Sequence, residues 1–461
     1  MGRLFKINTV RGIAVTELTC ERVMNIGRAL ALVIGHRLGC KPIILVGKDS
    51  RLSSDIFEAA LTAGICSVGA QTAVLGIVPT PAVPYLVKKY ETNAGVMITA
   101  STAAPEYNGL KLYSSSGCPL PDDLIDEIEA MLLDEPQKIS LALASHAFVG
   151  KRIDCPKAQW DYIRYVMKCI SIDLHGIRVL FDCADGCAAH TAKNLFEGLG
   201  AICEFINSRV DGTSINICGG TINLEPLRKR VAEGHYQAGI AFDGDADRLI
   251  AVDETGAVVD GDKLLAIFAG DMLYNNKLNK KTVAVTITTN LGFLNFAKDN
   301  GISVVTAKAD EKYIIEKLQN EKLSLGGEQN GHIIFSDLST AADGQLAAAR
   351  LLEIIVASGR KLSELAASAE RFPQVQFNIK IAPQCREIWK NDRELTDFID
   401  KRARELEKDG LGRLVVRESG SESIIHIIAE GRDFEQINKT AGEISDKIRQ
   451  RVKPSTYMET E

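Results

Sequence analysis

The chain has 461 residues, 46% of them hydrophobic, and a formal net charge of −6, enough for three or four ordinary domains with real cores. Its basic residues are dispersed, arguing against nucleic-acid or acidic-membrane partners, and its 11 cysteines lack Cys-x-x-Cys pairs, so reduced thiols are expected. With no signal-peptide core in Met1–Lys6 and no run of membrane-spanning length, the expectation is a soluble, cytoplasmic, multidomain α/β protein.

Near the start, Val10-Arg11-Gly12 reads as a polar loop, where one arginine is usually a surface charge. A helix follows, with Thr19 as N-cap, Glu21 in the first turn, and Val23, Ile26, Leu30, Val33 and Ile34 on one stripe; Gly39 closes it. Pro42 to Val46 is a buried strand running into Gly47-Lys48-Asp49-Ser50-Arg51. A helix from about Asp55 to Ser67 and a strand from Thr72 to Leu75 lead to Pro79-Thr80-Pro81. Such alternation predicts a mostly parallel sheet covered by helices. The strand Ala94–Ile98 then delivers Ser101 to a loop that continues to Asn108-Gly109-Leu110-Lys111. Ligands collect beyond the carboxyl ends of such strands. Ser101 there is either a nucleophile or an ordinary turn residue, and Lys111 is most simply a surface lysine.

Cys155 to Ile170 reads as a connecting helix, and a second α/β unit begins with the strand Arg178–Asp182. It ends in Asp243-Gly244-Asp245-Ala246-Asp247-Arg248, between apolar strands at Ala238–Phe242 and Leu249–Val252. Acids at every second position point the same way in an extended segment, with Gly244 allowing the turn. Converging carboxylates repel one another unless a hard cation joins them. An EF-hand is excluded, because Arg248 stands where its glycine belongs and strands flank the loop. Mg²⁺ on Asp243, Asp245 and Asp247 with an adjacent phosphate is expected, the alternative being a solvated acidic turn. Arg248 suits a phosphate or sugar oxygen.

A third unit carries strands at Val283–Ile287 and Ser303–Thr306, a helix at Glu311–Leu318, and Gly326-Gly327-Glu328-Gln329-Asn330-Gly331-His332 before the strand Ile333–Phe335. That loop suits sugar hydroxyls, or is simply a hairpin turn. From about Pro373 the pattern changes. The strand Val375–Ile379, a charged helix through Leu406, an antiparallel pair Leu414–Arg417 and Ile424–Ile428, and a closing helix Phe434–Val452 form a smaller α+β unit. The loop of the pair, Glu418 to Ser423, offers hydroxyls and N–H groups to a phosphate.

The serine loop, Asp-Gly-Asp-Ala-Asp-Arg, Gly-Glu-Gln-x-Gly-His and Ser-Gly-Ser-Glu, in that order, resemble the α-D-phosphohexomutase superfamily across essentially the whole chain. Arg3-Leu4-Phe5, Asn290-Leu291-Gly292, Asp343-Gly344, Leu362-Ser363-Glu364-Leu365 and Pro373-Gln374-Val375 point to its bacterial phosphoglucosamine mutase branch. The resemblance implies three mixed or parallel α/β domains (1–154, 155–255 and 256–369) and a C-terminal α+β domain (370–461), heart-shaped around a central cleft. It implies a phosphoserine at Ser101 that also joins Asp243, Asp245 and Asp247 on Mg²⁺. Lys111 would assist proton transfer, with Arg11 also catalytic. Arg248, Lys308, Glu328, Asn330 and His332 would bind the substrate. Arg417, Ser419, Gly420 and Ser421 would grip the phosphate that is not reacting. A hexosamine phosphate substrate, a hexose 1,6-bisphosphate activator and a monomer or homodimer are implied as well.

The loops depart from the family pattern. Thr102, Ala103 and Ala104 follow Ser101 in place of His-Asn-Pro. Phe5-Lys6-Ile7-Asn8-Thr9-Val10-Arg11-Gly12 replaces Phe-Gly-Thr-Asp-Gly-Val-Arg-Gly. Asn330 stands for serine, Ser421 for threonine, Ser423 for proline and His426 for arginine. Loss of a general acid or base costs about 10²–10⁴ in rate. Two readings follow: a divergent hexosamine phosphate mutase, or an impaired pseudo-mutase that binds Mg²⁺ and sugar phosphates in a regulatory or scaffolding role.

Overall fold

Thr19 caps the helix Cys20–Leu38, its hydroxyl oxygen accepting from Arg22 N at 3.2 Å, and Gly39 ends it in the left-handed region at φ 67°. The buried stripe of that helix meets a second helix, Leu52–Ser67, at close range. A Cβ on Gly64 would stand 2.1 Å from the Met24 carbonyl oxygen, and one on Gly27 2.8 Å from that of Leu61. The pair of glycines therefore sets the approach of the two backbones. The computed structural model describes residues 4–134, 136–381, 389, 391–408, 411–418 and 424–451, and they divide into two bodies, Met1–Ile287 with Ile302–Ser368 and Thr288–Gly301 with Ala369–Glu461.

The first body holds three mixed sheets. In the first, β1 (Thr9–Ile13), β2 (Ile43–Lys48), β3 (Gln71–Ile77), β4 (Ala94–Ile98), β5 (Tyr107–Ser114) and β6 (Arg152–Asp154) lie in the order β1-β5-β4-β2-β3-β6. Strand residues Ile44, Val46, Val96, Ile98 and Leu112 share one core with Leu30, Phe57 and Leu61 of the helices. The second sheet runs β11-β10-β9-β7-β8, from β7 (Arg178–Asp182), β8 (Ile202–Ile206), β9 (Ala238–Phe242), β10 (Leu249–Asp253) and β11 (Val258–Val259). Rings of Phe196, Phe205 and Phe242 stack on Phe181 at 4.4, 5.3 and 6.2 Å, anchoring the strand that leads into the acidic loop. The third sheet, β13-β12-β14-β15, comprises β12 (Thr282–Thr286), β13 (Ser303–Ala307), β14 (Leu325–Gly327) and β15 (Ile333–Phe335). Antiparallel pairs β9–β10 and β14–β15 present the acidic loop and the Glu328–His332 loop at their turns.

Two segments read as loops are strands. Val10, Arg11 and Gly12 belong to β1, which pairs with β5 so that Thr9 faces Lys111 and Arg11 faces Gly109. Asn108 to Lys111 accordingly lie in β5. Edge strands carry charge on their open face. Val10 and Gly12 are buried while Arg11 is exposed, an alternation too short to stand out from its polar surroundings.

In the second body, β16 (Gln374–Lys380), β17 (Gly412–Glu418) and β18 (Ile424–Gly431) form an antiparallel sheet in the order β16-β18-β17. Ile425 and Ile427 pack with Leu395 of the helix Arg393–Glu407 and with Ile437 and Ile444 of the helix Phe434–Arg451. The buried Glu430 accepts hydrogen bonds from Leu291 N (3.2 Å), Asn290 Nδ2 (3.1 Å), Gln374 Nε2 (3.2 Å) and Arg413 Nη1 (3.2 Å). It thereby binds the helix Leu291–Asp299 to this body. The α/β-then-α+β architecture is the one that the alternation of elements predicted.

Gly64→Ala separates two opposing effects. Intrinsic helix propensity favours alanine by about 1 kcal/mol, whereas overpacking a close contact costs about 1–3 kcal/mol. The backbone at 2.1 Å cannot yield as a side chain would, so the variant should melt lower by calorimetry; a higher melting temperature would show that the helices separate freely.

Candidate active site

Ser101 follows β4 with its backbone in the left-handed region, φ 49°, a strain of about 1–3 kcal/mol that the surroundings must hold. Arg51 does most of the holding. It is 2% exposed, and its Nη2 donates to the carbonyls of Ser101 (2.9 Å) and Ala103 (2.8 Å), while Nη1 donates to those of Ala104 (2.5 Å) and Tyr107 (3.0 Å). Its Nε donates to Asp49 Oδ2 at 2.9 Å. Asn216 Nδ2 adds bonds to the Ser101 and Ala103 carbonyls at 2.7 and 3.1 Å, and Ser101 N donates to Thr99 Oγ1 at 2.9 Å. Sequence reasoning overlooked both Arg51 and Asn216. A signal for the first existed in the placement of Asp49 and Arg51 just beyond a buried strand; nothing local marks Asn216.

Ser101 Oγ donates to Asp243 Oδ2 at 2.7 Å. The three aspartates are fully buried, each offering an oxygen within 4.8 Å of the others. Lys111 Nζ bridges Asp245 Oδ2 (2.8 Å) and Asp247 Oδ2 (2.6 Å), so this lysine is no surface residue. Thr80 Oγ1 donates to Asp245 Oδ2 at 2.6 Å and Thr80 N to the Asp245 carbonyl at 2.9 Å. Asp245 Oδ1 stays buried without a partner among the described residues. Burial and the charges of Asp247 and Asp245 push the Asp243 carboxyl well above its ordinary range. For Asp247, burial acts the same way, but Lys111 and His332 outweigh it and hold the group well below. The turn itself differs from expectation. Ala246, not Gly244, takes the left-handed conformation, φ 58°. Gly244 is needed for proximity, since a Cβ there would lie 2.9 Å from the Ser101 carbonyl oxygen.

His332 Nδ1 lies 2.8 Å from Glu328 Oε2 and Nε2 lies 3.2 Å from Asp247 Oδ1. Burial and Arg248 pull the imidazole down, yet Asp247 and Glu328 prevail and raise it to about 10. Arg248 Nε lies 3.1 Å from His332 Nε2, 3.9 Å from Asp243 Oδ2 and 4.0 Å from Asp247 Oδ1, so the ring is held between two carboxylates and a guanidinium. Asn330 braces the loop, donating to Glu328 Oε2 at 3.2 Å and accepting from His332 N at 3.2 Å.

These groups open onto a cleft of about 330 Å³ lined by Ser101, Lys111, Arg11, Arg248, Glu328, Asn330 and His332, together with Asn8, Tyr113, Glu311 and Lys312. Lys308 is not part of the lining. It is exposed, its Nζ 5.1 Å from the centre of the Tyr313 ring, because the helix Glu311–Glu321 begins just after it and brings Lys312 to the cleft instead. Arg417 lies on β17 opposite His426, with its Nε buried and unpartnered among the described residues. Ser419, Gly420 and Ser421 lie outside the described residues.

Sequence models described as phosphoglucomutase/phosphomannomutase alpha/beta/alpha domains I, II and III match residues 2–138, 160–256 and 260–372. The phosphoglucosamine mutase of Caldanaerobacter subterraneus subsp. tengcongensis is 41% identical over 455 residues, 98% of this chain and 100% of the relative. That of Acetivibrio thermocellus is 40% identical over 452 residues, with the same coverage of both chains. The chain belongs to the phosphoglucomutase/phosphomannomutase family. Its fold is shared with a family protein from Burkholderia thailandensis (TM-score 0.78, 21% identity, 98% of each chain covered). It is shared as well with the Aspergillus fumigatus N-acetylphosphoglucosamine mutase solved with GlcNAc-6P and magnesium (TM-score 0.63, 15% identity, 94% and 97% covered). Within this phosphohexomutase, the substitutions at Thr102, Ala103 and Ala104 fall on a loop held through main-chain carbonyls, so they leave its anchoring intact.

Lys111→Met leaves Asp245 and Asp247 buried without their ammonium. Breaking a buried pair costs about 3–5 kcal/mol, and a divalent cation can supply the missing charge. Calorimetric melting should therefore drop sharply and recover with Mg²⁺ by more than the wild type gains. Equal Mg²⁺ gains would show that the cation does not share these oxygens.

Proposed function

We propose that this phosphohexomutase interconverts glucosamine 6-phosphate and glucosamine 1-phosphate through a phosphoserine at Ser101 and a sugar 1,6-bisphosphate. The observation that carries this reading is the Ser101 hydroxyl, 2.7 Å from Asp243, in a cleft shared with Lys111, Arg248, Glu328 and His332. Full-length relatives named phosphoglucosamine mutase at about 40% identity supply the substrate.

In the first half-reaction the C1 hydroxyl oxygen of glucosamine 6-phosphate attacks the phosphorus of phospho-Ser101. The new P–O bond forms as the bond to Ser101 Oγ breaks, and the hydroxyl proton ends on the departing Ser101 Oγ, with Lys111 assisting its transfer; the second half-reaction returns the Ser101 proton to the C6 oxygen. After the bisphosphate turns over, Ser101 Oγ attacks the 6-phosphate, restoring phosphoserine and releasing glucosamine 1-phosphate. Arg11 and Arg248 steady the phosphoryl oxygens, since phosphoryl transfer is mainly positioning and charge neutralisation. Glu328, Asn330 and His332 bind sugar hydroxyls. Arg417 with Ser419, Gly420 and Ser421 takes the distal phosphate, within a segmentation of 1–154, 155–255, 256–369 and 370–461. A hexose 1,6-bisphosphate primes the protein by phosphorylating Ser101, and the setting is the cytoplasm.

The acidic loop fits Mg²⁺. It offers hard oxygen donors within 4.8 Å of one another, and the buried Asp245 Oδ1 is an acceptor that no group among the described residues satisfies. Asp243, Asp245 and Asp247 would hold the ion, together with the Ser101 phosphate. When bound, it supplies neutralisation of charge on the transferred group. No observation favours the impaired binding protein.

Protein primed with glucose 1,6-bisphosphate should convert glucosamine 6-phosphate, and intact mass should show one phosphate on Ser101. Ser101→Ala should lose both properties. Asp245→Ala should abolish Mg²⁺ binding by titration calorimetry. Turnover persisting in Ser101→Ala would overturn the phosphoserine route, and turnover of other hexose phosphates alone would overturn the substrate.

A further inference from the structure

Glucosamine phosphates differ from glucose phosphates only at C2, where an ammonium replaces a hydroxyl. The cleft is lined by Arg11, Lys111, Arg248 and Lys312, a set suited to phosphate and hostile to a second cation. Selecting an amino sugar therefore requires a carboxylate that faces the cleft with an oxygen open and no direct ion pair.

The carboxylates around the site differ in this respect. Asp243, Asp245 and Asp247 serve Ser101, Thr80, Lys111 and His332. Glu328 is ion-paired to His332 at 2.8 Å. Asp310 uses Oδ1 to cap the helix Glu311–Glu321 through Lys312 N at 3.0 Å. Asp310 and Glu311 both line the cleft and among the described residues each keeps one oxygen open, but of the two it is Glu311 that stands among the groups handling phosphate and sugar. Its Oε1 accepts from Ala342 N at 2.6 Å, which fixes the side chain against a neighbouring segment. Among the described residues no hydrogen bond engages Oε2 and no salt bridge engages either oxygen. The carboxylate lies within 4.8 Å of ligand atoms of Asp247 and His332, next to the groups that handle phosphate and sugar. The backbone entering it is strained, with Asp310 at φ 148°, a region that glycine enters freely and other residues only at a cost.

We propose that Glu311 is the specificity-determining residue for amino sugars, its open oxygen receiving the C2 ammonium of glucosamine 6-phosphate and glucosamine 1-phosphate. The assignment rests on the hexosamine reading given above and adds the group that distinguishes this substrate class from hexoses.

Glu311→Gln keeps an acceptor for Ala342 N–H and removes the charge. Titration calorimetry on the full chain with Mg²⁺ would measure glucosamine 6-phosphate and glucose 6-phosphate binding, and a primed assay would give kcat/KM for both 1-phosphates. Losing a charge-assisted hydrogen bond should lower the amino-to-hydroxy selectivity about ten- to a hundredfold, with Glu311→Asp retaining part of it and Asp310→Asn, the neighbouring open carboxylate, changing it less than Glu311→Gln does; the reverse order overturns the proposal. An unchanged ratio in Glu311→Gln overturns the proposal, as does altered Mg²⁺ affinity at constant ratio, or a wild type that turns over both sugars without preference. In those cases the mutase reading survives. Wild type that binds the amino sugar preferentially through Glu311 yet never converts it would overturn the mutase reading and leave this assignment standing.

Discussion

Three carboxylates buried on one short loop repel one another, and much of the site is arranged around that repulsion. Lys111 meets it from β5, 2.6–2.8 Å from two of the acids. Thr80 meets it from the turn after β3, His332 from the third sheet, and Arg248 from the end of the acidic loop itself. A charge uncompensated in so dry a place costs several kcal/mol, so each of these neighbours is needed for stability before any substrate arrives. Among the described residues the compensation remains incomplete at Asp245 Oδ1. Chemistry that moves anionic phosphoryl groups gains from a place where positive charge is wanted and already half supplied.

The nucleophile depends on a second constraint, a backbone that would not stay put alone. Ser101 is strained, and Arg51 and Asn216 fix the loop by its carbonyls. Because they bind main-chain oxygens, the loop's geometry is largely indifferent to the side chains at positions 102–104. That explains why a sequence departing from its relatives beside the nucleophile can still present the serine to Asp243. The scaffold that holds the loop stands elsewhere in the chain.

Much of this was legible in the sequence, for definite reasons. Helix Cys20–Leu38 has a capping threonine, a terminal glycine and a clear apolar stripe, and it ends where those signals fall. Strands β4, β7, β9 and β15 are short apolar runs ended by polar residues, and their limits match. Strand β1 was missed because a polar edge strand lacks an apolar run and its partner lies a hundred residues away in sequence. The acidic cluster was recognisable from spacing alone, but its turn was assigned to Gly244 on propensity, whereas tertiary crowding reserved that glycine for close approach and left Ala246 to bend. Lys308 came from the family resemblance, and Lys312, in the first turn of the helix Glu311–Glu321, was not singled out because nothing local distinguishes it from a surface lysine. Arg51 and Asn216 act on distant backbone, which leaves no periodic signature.

The second body is assembled from two separated pieces of chain, and Glu430 clasps them. Its bond to Leu291 N spans 139 residues. During synthesis the segment bearing Leu291–Asp299 leaves the ribosome first and must wait for its clasp. At about 5–20 residues per second, that delay is on the order of ten seconds. A nine-residue helix is marginal alone, so over that interval its apolar face, including Phe293 and Phe296, is a natural target for chaperones. Constructing the C-terminal body as an isolated fragment from residue 369 onward would leave Glu430 without the Asn290 and Leu291 N–H groups it accepts from.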